Sequence, residues 1–346
     1  MEKKVIVAPL HWGLGHASRC VPIINSLLEH NYTPIIASDG NALQFLKQEF
    51  PSLESFELPS YQISYGSNLK LKIIFQLPTI INSICKEKRI INDFILKNKE
   101  VVGLISDNRF GVRSPLLPSI YITHQINVLS GITTFLSSFF HRIFIRKFDE
   151  CWVPDTPKSD FSGVLSLTTK KLNIKFIGIL SRFQKEVLEE KIDLLVLISG
   201  PEPNRTLLET KLIAEFKNTS KKIVFVLGKV EENQKKWTSG NSTFYNYLLS
   251  SQLQNMINSS KIIISRSGYS SIMDLAVLGK KVFFIPTENQ PEQEYLATYL
   301  KRKGMAPFST IANFSEEKLI EIQRNKGLTT KKTLFNPNLF GLFERK

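Results

Sequence analysis

The sequence predicts an α/β protein of two domains, each built on a parallel β-sheet that is covered by helices. Short β-rich runs alternate with helical stretches through the first half of the chain, and the same alternation begins again near residue 193. Strands that are separated by helices are typical of parallel sheets, which are buried on both faces. The length of 346 residues also suits two ordinary domains better than a single hydrophobic core.

The first half contains five predicted strands and three predicted helices. The strands are Val5–Ala8, Pro34–Ala37, Val101–Ser106, Ser119–Thr123 and Cys151–Val153, and the helices are Ala17–Glu29, Asn41–Glu49 and Phe135–Phe148. The strand segments are rich in β-branched and aliphatic residues, which favour extended structure. In the first helix, Val21, Ile24, Leu27 and Leu28 are spaced so that they share one face.

The second half repeats this pattern with four predicted strands and four predicted helices. The strands are Asp193–Ile198, Lys222–Leu227, Lys261–Ser265 and Lys281–Ile285, and the helices are Asn204–Phe216, Tyr269–Leu278, Glu292–Lys303 and Ser315–Lys326. The two halves are therefore predicted to be two Rossmann-like units in tandem.

The domain boundary is expected near the turn-forming residues Pro154–Pro157. We predict an N-terminal Rossmann-like domain over 1–160, a linker region over 161–190, a C-terminal Rossmann-like domain over 191–328 and a tail over 329–346. The tail is too apolar to extend into solvent, so we expect it to pack back onto the N-terminal domain.

The composition is that of a folded protein in a reducing compartment. Hydrophobic residues make up 42% of the chain, and no apolar run reaches the length of about 18 residues that a membrane-spanning helix needs. Lys3 and Lys4 precede only a short apolar run, so a strand is favoured over a signal peptide. The widely spaced Cys20, Cys85 and Cys151 indicate neither a disulfide framework nor a metal site. We therefore expect a cytoplasmic protein without a bound metal.

The formal net charge of +14 implies an attraction to anions. The candidates are nucleic acid, an anionic membrane surface and a phosphorylated substrate, and the alternative is that the lysines serve only solvation. Two segments, Lys70–Leu77 and Phe139–Lys147, mix basic with apolar residues and either contact an anionic bilayer or bury one helical face. Nucleic acid is not expected as a partner, because the basic residues are scattered and form no stacking platform.

A glycine-containing loop, Pro9–His16, follows the first predicted strand and precedes a helix. Gly13 and Gly15 allow a tight turn close to a ligand, and the free N–H groups of the helix start suit an anion or a polar ligand. Histidine is a residue type that suits a general base, and His16 stands at the strand end where ligands bind in open sheets. The alternative is that His16 only caps or packs.

A second loop, Ser265–Ser271, lies between a predicted strand and the helix that carries Asp274. Ser267 and Gly268 at a helix start form a cradle for an anion, and Arg266 adds a charge-assisted contact to a phosphate. Asp274 is a candidate for holding a ribose diol. The alternative is ordinary N-capping by serine with an exposed aspartate.

Two weaker loops end other strands of the second domain. Ser199–Arg205 has the position of a phosphate loop, and Ser199 with Gly200 is its candidate contact, although its two prolines remove backbone donors. Glu288–Glu294 is a polar run, and its amides and carboxylates, Gln293 and Glu294 among them, suit the hydroxyl groups of a sugar. An ordinary solvated loop is the alternative for each.

In the first domain, Asp107 and His124 follow predicted strands. Asp107 is either a base or a turn carboxylate, and His124 faces the same rim. The chain has no GxSxG, HExxH, Walker or paired CxxC motif.

The order of these segments resembles the nucleotide-sugar glycosyltransferases of the GT-B fold, in particular the MurG-like, glycosyltransferase family 28 type. The resemblance covers about residues 4–310 and is most specific over 9–20 and 263–297. It implies two Rossmann-like domains that face each other across a cleft.

The resemblance also implies roles for individual residues. The implied catalytic residues are His16 and Asp107, and the implied ligand-binding residues are Gly13, Gly15, Ser199, Gly200, Arg266, Ser267, Gly268, Asp274, Gln293 and Glu294. Asp274 stands where the relatives hold ribose with a glutamate, and Gln293 and Glu294 stand where a Gln-rich pair reads the donor sugar. Ser199–Arg205 departs from the glycine-rich loop of the relatives.

The function that the resemblance implies is transfer of a sugar, with a UDP-sugar favoured, to the hydroxyl of an unknown glycan, lipid or small-molecule acceptor. The implied reaction is inverting and metal-independent and needs no cofactor, since the nucleotide-sugar is a substrate. His16 is the implied base, or Asp107 if its carboxylate faces the cleft. The implied location is the cytoplasm, with possible peripheral contact to the anionic inner face of the membrane.

Two other functions remain open. The segment Gly13–Cys20 also resembles nucleotide-sugar hydrolases of the pseudaminic-acid pathway, in which water replaces the acceptor, and nucleotide-sugar epimerases share the architecture. The other alternative is a non-catalytic protein that binds anions or nucleic acid.

Overall fold

Thirteen strands form two β-sheets in the computed structural model, which describes residues 2–61, 69–167, 172–330 and 337–344. This arrangement confirms the predicted α/β class. The side chains of residues 69–77, 132 and 337 lie outside the description, so the basic and apolar segment Lys70–Leu77 is not considered further.

The first sheet has seven parallel strands in the order β3-β2-β1-β4-β5-β6-β7. Its strands are β1 (Lys3–Pro9), β2 (Tyr32–Ser38), β3 (Ser55–Glu57), β4 (Val101–Asp107), β5 (Ser119–Ile122), β6 (Glu150–Val153) and β7 (Ile174–Phe176). Its helices are α1 (Leu14–Glu29), α2 (Gly40–Glu49), α3 (Leu69–Lys97) and α4 (Thr134–Ile145), with short 3₁₀-helices at Gly131–Thr133 and Gly163–Ser166.

The second sheet has six strands in the order β10-β11-β9-β8-β12-β13, and only the β10–β11 pair is antiparallel. Its strands are β8 (Ile192–Leu197), β9 (Ile223–Val226), β10 (Lys236–Ser239), β11 (Ser242–Tyr245), β12 (Ser260–Ser265) and β13 (Val282–Phe284). Its helices are α5 (Asn204–Glu215), α6 (Ser250–Asn258), α7 (Tyr269–Leu278) and α8 (Pro291–Arg302). The predicted helix Ser315–Lys326 is a 3₁₀-helix, Glu316–Arg324, and another 3₁₀-helix covers Pro337–Glu344.

The strand β1 shows why the chain folds into a doubly covered sheet. Its residues from Val5 to Ala8 are fully buried, as expected for a central strand with helices on both faces. Val5 and Val7 pack into one apolar cluster, whereas Ile6 and Ala8 pack into another on the opposite face. The alternation of side chains along a strand therefore supplies both layers at once.

The helix α7 ends where Gly279 takes a left-handed conformation, with φ of 66°. A residue with a Cβ is strained in this region, and glycine is the usual solution at helix ends. The N–H groups of Gly279 and Lys280 donate to the carbonyls of Ala276 and Leu275 at 3.2 Å each. This turn directs the chain back into β13.

The first sheet extends into the predicted linker region, because β7 lies within 161–190 and pairs with β6. After β7 the chain stays buried at Ile177, Ile179 and Phe183 and becomes exposed only from Gln184 onward. The continuous exposed stretch after β7 in this region is therefore 184–190.

The C-terminal 3₁₀-helix packs on the first sheet. The ring of Phe340 lies 5.8 Å from that of Tyr32 and 6.0 Å from that of Trp152. Phe343 lies against Gly103 of β4, where an added Cβ would come within 2.2 Å of its ring. In the described part of the chain, no helix is both long and apolar enough to cross a membrane.

Candidate active site between the two sheets

The loop after β1 meets the start of α7 from the second sheet. Gly13 precedes α1 with φ of 74°, and an added Cβ there would contact nothing within 4 Å, so the loop borders open space. The Ser270 hydroxyl donates to the Gly15 carbonyl at 2.8 Å, and the Tyr269 hydroxyl donates to the Pro154 carbonyl at 2.8 Å. These contacts place the carboxyl ends of both sheets at one cleft, where open α/β sheets bind ligands.

His16 stands at the start of α1 and is oriented by the carboxylate of Asp107. Its Nδ1 lies 2.8 Å from Asp107 Oδ1, and Arg19 donates from Nε and Nη2 to the two carboxylate oxygens. Burial alone raises the pKa of Asp107, but Arg19 and His16 outweigh it and hold the pKa well below its ordinary value. Nδ1 also lies 2.9 Å from Arg19 Nη2, which only donates. The tautomer with its proton on Nδ1 donates to Asp107 and leaves Nε2 as the basic nitrogen, and this is the form that suits a general base.

Asp107 was the alternative base only if its carboxylate faced the cleft. In the structure Asp107 is fully buried and does not face it. Both of its oxygens accept from Arg19, and one also accepts from His16. The structure therefore places Asp107 behind His16, against the Nδ1 side of its ring.

Arg19 connects this pair to His124, which follows β5. Its Nη1 lies 3.0 Å from His124 Nδ1, and the opposite ring nitrogen, Nε2, lies 2.7 Å from Glu292 Oε1. The second carboxylate oxygen of Glu292 accepts from the Gln125 amide at 2.5 Å. Glu292 belongs to α8, so this chain of contacts crosses the cleft. Arg19 and Glu292 were not among the residues predicted from the sequence, although Arg19 stands three residues after His16 and thus on the same helical face.

Arg266 ties together three loops of the second domain. It is 2% exposed, and it donates to the carbonyls of Pro286 at 2.8 Å, Ile285 at 3.1 Å and Asn204 at 2.8 Å. Burial lowers its pKa to about 10. Among the described residues its Nε has no hydrogen-bond partner, and the hydroxyl of Thr287 is likewise buried and unpartnered. Thr287 Oγ1 lies 3.9 Å from the position of a Cβ on Gly200.

The start of α7 leaves space for a ligand. Gly268 is its N-terminal capping residue, and an added Cβ there would meet nothing within 4 Å. The Ser267 side chain is turned away from this space, since its hydroxyl donates to the Gln293 carbonyl at 2.8 Å. No side-chain hydrogen bond caps α7, so its first N–H groups border this open space.

Asp274 is buried and already has partners in the protein. Its carboxylate accepts from the Ser181 hydroxyl at 2.7 Å and lies 3.6 Å from Arg182 Nε. Burial raises its pKa, and Arg182 and Ser181 partly offset this effect. Both oxygens are directed to the segment after β7 and not to open space.

The polar loop before α8 is internally bonded. The Gln293 side-chain oxygen accepts from the Thr287 N–H at 2.9 Å, and Glu294 Oε1 accepts from the Asn289 N–H at 2.9 Å. Gln293 is buried and Glu294 is exposed. Ser199 and Gly200 lie at the end of β8, and Gly200 has φ of 107°. Within the described ranges, no group of three His, Cys, Asp or Glu side chains is placed to hold a metal ion.

Comparisons with known proteins agree on one kind of enzyme. Residues 195–337 match the glycosyltransferase family 28 C-terminal domain. Over 337 residues the chain is 25% identical to UDP-N-acetylglucosamine--N-acetylmuramyl-(pentapeptide) pyrophosphoryl-undecaprenol N-acetylglucosamine transferase of Sulfurihydrogenibium sp., covering 94% of this chain and 91% of that protein.

Solved structures show the same fold at low sequence identity. The crystal structure of Acinetobacter baumannii MurG has a TM-score of 0.53 at 12% identity and covers 94% of this chain and 93% of its own. The glycotransferase of kitacinnamycin has a TM-score of 0.63 at 12% identity, with 99% and 94% covered. Arabidopsis thaliana UGT89C1, complexed with UDP-L-rhamnose, has a TM-score of 0.60 at 13% identity, with 93% and 89% covered. None of these proteins is a hydrolase or an epimerase by its name.

Proposed function

We propose that this chain is a GT-B glycosyltransferase of the family 28 type. In the proposed reaction it transfers a sugar from a UDP-sugar to an acceptor hydroxyl. The observation that carries the proposal is His16, which contacts Asp107 and directly follows Gly15, whose carbonyl accepts from Ser270 at the start of α7. A UDP donor is favoured because the Sulfurihydrogenibium relative is named for a UDP-sugar and UGT89C1 is complexed with one.

The diphosphate of the donor is proposed to lie at the start of α7. The open space at Gly268 and the positive end of the helix suit an anion, and the unpartnered Arg266 Nε and Thr287 hydroxyl add buried donors nearby. Ser199 and Gly200, at the end of β8, are proposed to border this space, since a Cβ on Gly200 would lie 3.9 Å from the Thr287 hydroxyl. These groups are positive or neutral, so they offset the charge of a leaving diphosphate, and the reaction is proposed to need no metal or cofactor.

The ribose and the sugar are proposed to lie on either side of the diphosphate. Asp274 is the proposed ribose ligand, and ribose binding then requires a sugar hydroxyl to replace Ser181 on its carboxylate. Gln293 and Glu294, at the start of α8, are proposed to read the hydroxyl groups of the donor sugar. Gly13 and Gly15 let the backbone of the first domain approach the donor from the other side.

In the proposed mechanism, His16 Nε2 takes the proton of the acceptor hydroxyl while that oxygen attacks the anomeric carbon. The bond from this carbon to the diphosphate oxygen breaks, the electron pair leaves with the diphosphate, and the configuration is inverted. Asp107 stabilises the imidazolium that forms, and Arg19 holds Asp107 in place. Orientation and electrostatic stabilisation thus supply the catalysis.

The acceptor side is proposed to contact an anionic membrane from the cytoplasm. The helix α4 buries Ser138, His141 and Ile145 but exposes four large apolar side chains, Phe135, Leu136, Phe139 and Phe140. Arg146 and Lys147 follow directly. Apolar side chains beside basic ones suit a surface of anionic lipid. The Sulfurihydrogenibium relative, by its name, acts on an undecaprenol-linked acceptor.

Sedimentation with vesicles tests this contact. Wild type is expected to sediment with phosphatidylglycerol vesicles and not with phosphatidylcholine vesicles, and Phe139→Ser with Phe140→Ser reduces the bound fraction at least about fivefold, since each ring loses about 2 kcal/mol of burial. Val187→Ser, at an exposed position of the linker region, is the control. Equal sedimentation of both proteins would remove α4 as the contact.

Thermal unfolding with nucleotides tests the donor. A UDP-sugar at 100 times its Kd stabilises the native state by about 2.7 kcal/mol, so the Tm is expected to rise by a few degrees with UDP-sugars and less with ADP-sugars. Release of free sugar that needs no acceptor would instead indicate a hydrolase. A Tm that no nucleotide-sugar changes would contradict the proposal.

A further inference from the structure

The carboxylate of Glu292 reaches from the second domain into the site of the first. It is the second residue of α8, and its two oxygens contact His124 Nε2 at 2.7 Å and the Gln125 amide at 2.5 Å. The side chains of Glu292 and His124 are 18% and 5% exposed, so the contact is shielded from solvent. Burial alone raises the pKa of Glu292, and His124 outweighs this and lowers it, so the group is a carboxylate.

The hydrogen bonds of His124 leave it one tautomer. Arg19 only donates, so His124 Nδ1, at 3.0 Å from Arg19 Nη1, accepts, and the ring proton sits on Nε2. That proton is donated to Glu292. Burial lowers the pKa of His124, which keeps the ring neutral, and the Tyr269 ring stacks on it at 4.1 Å with an angle of 8°. Two residues of the second domain therefore fix this ring.

His124 in turn fixes Arg19 and, through it, the proposed base. The guanidinium uses Nη1 for His124 and uses Nε and Nη2 for Asp107, so its plane is set from both sides. Asp107 then orients His16. The contacts run from Glu292 through His124 to Arg19, and Arg19 reaches His16 both through Asp107 and directly, with Nη2 at 2.9 Å from His16 Nδ1.

We propose that Glu292 is a positioning residue, which aligns His16 from across the cleft by fixing the tautomer of His124 and the plane of Arg19. This rests on the proposed function, in which His16 is the base. His16 is then aligned only while Glu292 of the second domain stays in contact with His124 of the first domain.

Histidine NMR tests the proposal without any turnover. The chain has five histidines, so the ring nitrogen signals are assigned by single substitutions. Wild type is expected to show His124 protonated at Nε2 alone. Glu292→Ala removes the acceptor of the Nε2 proton and frees the ring to move away from Arg19, so it is expected to give mixed tautomers at His124 and shifted ring signals at His16. Glu292→Gln keeps an acceptor oxygen and is expected to restore the wild-type pattern.

Kinetics give the second readout. Glu292→Ala is expected to lower kcat about 10- to 100-fold with the KM for the donor within about threefold, because misplacing a base affects the reaction more than donor binding. Glu292→Gln recovers most of the loss. Glu189→Ala, at an exposed position of the linker region, is the matched control.

An unchanged His124 tautomer in Glu292→Ala overturns the proposal. So does a loss of Tm and donor affinity with unchanged ring signals, since Glu292 would then hold the domains and not the base. If wild type transfers no sugar, the proposed function fails, but the tautomer measurement still decides the role of Glu292.

Discussion

At the scale of single residues, His16 differs in its surroundings from the buried histidines His124 and His141. His124 and His141 are buried, and burial lowers the pKa of both. His16 is partly exposed, and its Nδ1 is held by a carboxylate that stays ionised. A partly exposed histidine whose one ring nitrogen is held by a carboxylate suits a general base, and His16, at 2.8 Å from Asp107 Oδ1, is held more closely than His11, at 3.4 Å from Asp39 Oδ2.

Replacing His16 by Gln is expected to lower turnover about 100- to 10,000-fold, because general-base catalysis contributes that much. Donor affinity, measured by the UDP-sugar dependence of the Tm, is expected to stay within about threefold. His30→Gln is the control, since His30 lies at the far end of α1. Turnover within a few-fold of wild type in the His16 variant would show that another group is the base.

His141 predicts a dependence of stability on pH. Its pKa is lowered from 6.5 to about 4 by burial, so the unfolded chain binds more protons between these values. The stability due to the neutral ring is fully present above pH 6.5 and is lost as pH falls toward 4, up to about 3 kcal/mol. His124 acts in the same direction.

Urea unfolding at pH 7.5 and pH 5 measures this effect. His141→Phe is expected to lose less free energy of unfolding between the two pH values than wild type, because one of the two neutral rings is gone. Equal losses in both proteins would show that His141 is not the group responsible.

At the scale of elements, the predicted strands and helices agree with those of the structure where the segment is long and its apolar residues repeat with a clear period. The structure adds α3, α6, β3, β7 and the β10–β11 hairpin, which were not predicted. The four strands among these, β3, β7, β10 and β11, have four residues or fewer and offer too little pattern to detect. The predicted α-helix near the C-terminus is a 3₁₀-helix, Glu316–Arg324. Its apolar spacing suits an α-helix and a 3₁₀-helix alike, so the sequence did not distinguish the two.

The start of α7 is open at Gly268. A larger side chain at this position is therefore expected to weaken UDP binding without changing the stability of the protein. Gly268→Val adds atoms where no protein atom lies within 4 Å, and its φ of −71° suits any residue, so the Tm is expected to change by about 2 °C or less. The added side chain fills the proposed diphosphate space, so the Kd for UDP is expected to rise at least about tenfold. Gly341→Val is the matched control, because Gly341 is equally open. Unchanged UDP binding would place the diphosphate elsewhere.

At the scale of the whole molecule, the two sheets share one apolar cluster that also includes the C-terminal tail. Phe340 of the tail is buried and lies near the rings of His30, Tyr32 and Trp152. The tail is thus part of the core of the first domain, and its removal exposes that core.

Phe340→Ala is expected to lower the free energy of unfolding by about 3 to 5 kcal/mol, as large-to-small changes in a core do. Leu188→Ala, in the exposed linker segment, is the control and is expected to change stability by about 0.5 kcal/mol or less. Urea unfolding of both proteins is the measurement. A small loss in the Phe340 variant would mean that the tail only covers the surface.

The sequence by itself determined the α/β class, the tandem arrangement, the loop with His16 and the helix start at Gly268. These features follow from local periods and turn residues, which neighbouring positions specify. Only the tertiary structure decided that Asp107 lies behind His16, that Ser181 binds Asp274, and that Glu292 reaches His124. The partners in these three contacts are 91, 93 and 168 residues apart, and their approach depends on strand order and on the docking of two domains, which no local pattern encodes.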